Sequence, residues 1–70
     1  MMTNEEVELL RLKAYLEGLN IRLNGLIKIH ESREGHYSYF SLIPEIKSVK
    51  LEIKEIELKI HEKGKDILHN

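Results

Sequence analysis

Leu9, Leu12, Leu16, Leu19, Leu23 and Leu26 recur at alternating intervals of three and four residues. That spacing lays a continuous apolar stripe along one side of an α-helix, with leucine at every a and d position of a heptad. A stripe of this kind must be covered by a second apolar surface. His30 occupies the next position in register. Upstream, Thr3-Asn4-Glu5-Glu6 has the pattern of a capping box, in which a threonine hydroxyl takes up an orphan amide and a glutamate reaches back. Downstream, Gly35 suits the left-handed residue that ends a helix. These signals predict a helix over residues 3–34.

A second stripe is formed by Leu42, Ile46, Val49, Ile53, Ile56, Ile60 and Ile67, with Lys63 at the skipped position. Its spacing is again four and three, and its residues are mostly β-branched. Ser41 is the expected N-cap, and Pro44 falls in the first turn, where its missing amide does no harm. The prediction is a helix over 42–68. Val49–Ile53 and Ile56–Ile60 also alternate with period two, which is a strand signal. Between them, however, Lys54-Glu55 lacks the Gly, Asn or Asp of a tight hairpin turn, and Glu55 and Lys59 form a favourable helical pair.

Two amphipathic helices of similar length, separated by residues 35–41, imply an all-α fold: an antiparallel two-helix hairpin forming a single domain over residues 1–70. Seventy residues without cysteine can use neither disulfides nor thiolate metal sites for support. The expected support is self-association of hairpins into a four-helix bundle, as a homodimer or a higher even oligomer. Candidate interface residues are the two stripes, Leu9 to Leu26 and Ile46, Val49, Ile53, Ile56 and Ile60. Weaker strips behind them add to the set. Val7, Ala14, Gly18, Ile21 and Gly25 lie behind the leucines, and Leu51 and Leu58 behind the isoleucines. Glycine within a helix costs up to ~1 kcal/mol against alanine. Two glycines seven residues apart therefore predict close approach of another helix backbone or of a ligand.

Composition removes several functions. Eleven Lys and Arg residues balance twelve Asp and Glu, with the signs interspersed, so nucleic-acid binding is not expected. No apolar run suits a membrane span or a signal peptide, and the expectation is a cytoplasmic protein with no membrane partner. His30, His36, His61 and His69 are scattered without metal-ligand spacing, so no metal and no cofactor are expected. Glu57 and His61 are one turn apart, an arrangement read as a surface pair. With no nucleophile motif, an enzyme is not expected either.

Three of the four aromatic residues, Tyr37, Tyr39 and Phe40, fall between the two helices. They plug the end of the hairpin or form a docking surface, since aromatic residues dominate binding hot spots. The leading functional expectation is a small homo-oligomeric interaction module that binds another protein as adaptor, regulator or inhibitor. The alternative is binding of a small anionic, nucleotide-like ligand in grooves between subunits, held by Arg11, Tyr15, Arg22 or Lys28.

Overall fold

The computed structural model describes residues 1–32 and 42–69, the last four by their backbone alone. It contains two α-helices that pack against each other as a hairpin, α1 (Asn4–Ser32) and α2 (Ile43–His69). Residues 33–41 lie outside the described residues, among them the expected terminator Gly35, the cap Ser41 and the aromatic group Tyr37, Tyr39 and Phe40.

α1 starts where local chemistry says it should. The Glu6 amide donates to Thr3 Oγ1 at 3.1 Å, and the Val7 amide donates to the Thr3 carbonyl at 3.0 Å. The Thr3 hydroxyl in turn donates to Glu6 Oε1 at 3.3 Å. The box therefore closes on the hydroxyl rather than on the threonine amide, and Thr3 caps the helix instead of belonging to it. Glu5 and Glu6 place negative charge at the positive end of the helix dipole, and His30 lies in the last turn. The Ser32 hydroxyl donates to the Ile29 carbonyl at 2.8 Å and satisfies one of the acceptors left over at the C-terminus.

α2 begins differently. The Ile46 amide donates to the Leu42 carbonyl at 2.9 Å, which makes Leu42 the cap position and Ile43 the first helical residue. Leucine offers no side-chain acceptor there. The helix then runs unbroken through Val49–Ile60, so the period-two reading is not realised. Helical spacing brings Ile46, Val49, Ile53 and Ile56 to one face, and all four are buried.

The packing is antiparallel, because Tyr15 meets Glu52 while the earlier Glu8 meets the later Lys63. Leu19, Val49, Ile53 and Ile56 form the core, and Leu12, Leu16, Leu23, Leu26 and Ile60 pack around it half-buried. The result is long and thin, 55 × 19 × 13 Å, with a radius of gyration of 16.4 Å. A compact chain of this length has a radius near 11 Å. Among the described residues, the interior is one layer of side chains between two helices.

Candidate functional site

Antiparallel packing gives α1 and α2 a shared edge, on which the first half of α1 faces the second half of α2. Two cross-helix contacts fasten it. The Tyr15 hydroxyl donates to Glu52 Oε2. About two turns nearer the start of α1, Lys63 Nζ lies 2.6 Å from Glu8 Oε2. Lys63 stands in α2's apolar register, where an aliphatic residue would meet the end of the leucine stripe. Its long stem lets the ammonium leave that stripe and reach a carboxylate on the rim.

Both contacts mark the groups that make them. The hydrogen bond from Lys63 and its charge hold the Glu8 carboxyl below its ordinary value, helped by Arg11 and partly opposed by desolvation. The Tyr15 phenol is pushed above its ordinary value, first because its proton is committed to Glu52. Burial and the negative charge of Glu52 act in the same direction, and Arg22 acts against them.

Between these fastenings lies a cleft of about 550 Å³. α1 contributes Glu8, Arg11, Leu12 and Tyr15, and α2 contributes Lys59, Glu62 and Lys63. Leu12 and the Tyr15 ring supply apolar wall. Three cations face two carboxylates, an excess of one positive charge. The charged ends of Arg11 and Lys59 make no ion pair or hydrogen bond among the described residues.

Of the ligand residues expected from sequence, Arg11 and Tyr15 therefore come together. They do so inside one hairpin. Arg22 and Lys28 are exposed and do not line the cleft, although the charge of Arg22 is felt at Tyr15. Sequence reasoning misses Glu8, Lys59, Glu62 and Lys63 as cleft residues. Their signal is the antiparallel register, in which residue numbers rise along α2 as they fall along α1. That register becomes usable only once one facing pair is known.

The expected interface residues divide into two groups. Leu19, Ile46, Val49, Ile53 and Ile56 are buried within the hairpin itself, and Leu9, Leu12, Leu16, Leu23, Leu26 and Ile60 are half-buried. The strips behind the stripes stay mostly open, with Val7 and Gly25 half-buried. Ile21 is 65% exposed, Leu51 62% and Leu58 59%, and Ala14 is exposed as well. The close approach expected at Gly18 and Gly25 does not occur within the chain, because a Cβ added at either would meet nothing within 4 Å. The reason is geometric: both glycines lie on the side of α1 that α2 does not reach.

Among the described residues, no group of three or more His, Asp or Glu side chains converges as a metal site requires, and no helix is long and apolar enough to cross a membrane. Comparison with family models, with curated proteins and with solved structures finds no match to this chain.

Proposed function

We propose that this chain is a small helical interaction module: its hairpins pair as a homodimer, giving a four-helix assembly, and the assembly acts by occupying the surface of another protein as adaptor, regulator or inhibitor. The observation that carries this reading is surface area. A folded monomer of 8.3 kDa exposes about 4,600 Å². This chain exposes 5954 Å². The excess is larger than the roughly 800 Å² that each partner contributes to a standard interface.

The open apolar strips support a second copy as the first occupant. Apolar strips run along the backs of both helices, at Leu10 and Ile21 on α1 and at Leu51 and Leu58 on α2. Open space at Gly18 lets another helix come close without steric cost. A near-neutral chain with interspersed charges also meets a copy of itself without strong repulsion. Tyr37, Tyr39 and Phe40 are then the first candidates for the hetero-partner surface. The role is one of binding rather than catalysis, and the protein is taken as cytoplasmic, in keeping with a chain that has no cysteine.

Light scattering on the purified chain tests the first step. The expected mass is twice 8.3 kDa. Ile21→Glu combined with Leu58→Glu should halve it while circular dichroism still reports helix. A folded monomer across the micromolar range would overturn the reading. For the second step, a partner purified to homogeneity should bind the wild-type dimer saturably and lose affinity for Tyr39→Ala, whose mass stays that of a dimer.

A further inference from the structure

The cleft on the shared edge has a chemistry that self-association does not use. The cleft is formed within one hairpin, and it adjoins the open strips, since Arg11 shares a face of α1 with Gly18 and Glu62 a face of α2 with Leu58. Its size falls in the range of small-molecule sites, which are mostly apolar with a few convergent polar groups. Leu12 and the Tyr15 ring provide the apolar part. The phenol is tied to Glu52, so the ring is held in place before any ligand arrives. The Lys63–Glu8 pair consumes one cation and one carboxylate at the far end. Arg11 and Lys59 remain, one on each helix, with Glu62 as the carboxylate that limits how much negative charge the site accepts.

We propose that this cleft binds a small aromatic carboxylate, with its ring against Leu12 and Tyr15 and its single negative charge between Arg11 and Lys59. A planar guanidinium matches a carboxylate with two parallel hydrogen bonds, and a lysine adds a point charge from the opposite helix. One net positive charge suits a monoanion better than a polyphosphate. Glu62 would repel further negative charge, which separates this ligand class from nucleoside di- and triphosphates.

The test is a titration of the full isotope-labelled chain with 2-naphthoate, monitored through amide resonances. Two probes accompany it: 2-naphthamide, which keeps the rings and loses the charge, and acetate, which keeps the charge and loses the rings. Saturable shifts centred on Leu12, Tyr15 and Lys59 are expected with naphthoate, with binding at least about tenfold weaker for either companion. Arg11→Gln and Lys59→Gln should each weaken naphthoate roughly tenfold. Lys47→Gln, an exposed lysine away from the cleft, should leave it unchanged. Arg11 and Lys59 carry no ion pair or side-chain hydrogen bond among the described residues, so both variants should keep the wild-type helix content, which circular dichroism checks. Equal binding of naphthoate and naphthamide would reduce the site to apolar adsorption and overturn the proposal. So would shifts that never saturate, equal effects of acetate, or a loss in Lys47→Gln as large as that in Arg11→Gln.

Discussion

The two helices carry stripes of the same period, yet they fare differently on packing. α2 buries Ile46, Val49, Ile53 and Ile56, with Val49 only 4% exposed. α1 buries Leu19 alone, at 6%. Side-chain shape accounts for part of the contrast. A β-branched residue carries its bulk beside its own backbone, whereas leucine carries it one carbon further out. The leucines of α1 therefore reach across and cover the isoleucines, while their own outer surfaces stay half open to solvent. Distribution accounts for the rest. α1 spreads apolar residues around its circumference, at Leu10, Tyr15, Ile21 and Ile29, so no single partner helix can cover them all. The helices differ in origin as well. α1 has a side-chain cap, acidic residues in its first turn and good helix formers along its stripe. α2 has leucine at its cap position and is rich in isoleucine, so its helicity depends more on being packed.

The largest expected effect tests burial. Ile53→Ala should cost about 3 kcal/mol, as removal of a well-packed aliphatic side chain does. Leu16→Ala, on the half-covered stripe, should cost about half as much. Chemical denaturation of the two variants measures both, and equal losses would break the distinction between a buried and a covering helix.

Next in size is Gly18→Ala. With open space around the position, it should stabilise the protein by up to about 1 kcal/mol through helix propensity alone. A loss of dimer mass in the same variant would show the second hairpin's backbone packed against α1 at Gly18. Thr3→Ala should cost about 1 kcal/mol. Its signature is locality, with faster amide exchange in the first turn of α1 and none of the change in α2.

The smallest effects come from the two edge contacts, which solvent screens. Glu8 has a lowered pKa, so its contribution is present above the ordinary value of 4.5 and is lost as pH falls through the lower folded value. In Glu8→Gln that part of the acid sensitivity should vanish from the melting profile. Tyr15 has a raised pKa, so its contribution is complete below 10 and is lost as pH rises through the higher folded value. In a Tyr37→Phe, Tyr39→Phe background, absorbance titration should follow a single phenol above 10, returning towards 10 in Glu52→Gln.

Much of the architecture was legible before folding. Leucine at every third and fourth position admits one regular structure, and Thr3 with Glu6 marks its start within one residue. The cleft was far less legible. Arg11 and Tyr15 stand four apart on one helix and so were bound to be neighbours. Nothing local ties them to Lys59 or Lys63, whose nearness depends on how far α2 slides along α1. Gly18 and Gly25 show the same limit: their spacing puts both on one face of α1, and within the chain nothing stands opposite that face.

By itself, then, the sequence determined two helices, their approximate ends and the stripes by which they meet, because hydrogen bonding within a helix and the period of its side chains are local properties. Tertiary structure alone decided which stripe is sealed, which strips remain open, and that Tyr15 bonds Glu52 while Glu8 pairs with Lys63. Those outcomes depend on axial register and on the relative reach of leucine and isoleucine across the gap. Both are properties of two surfaces in contact, which neither helix possesses alone.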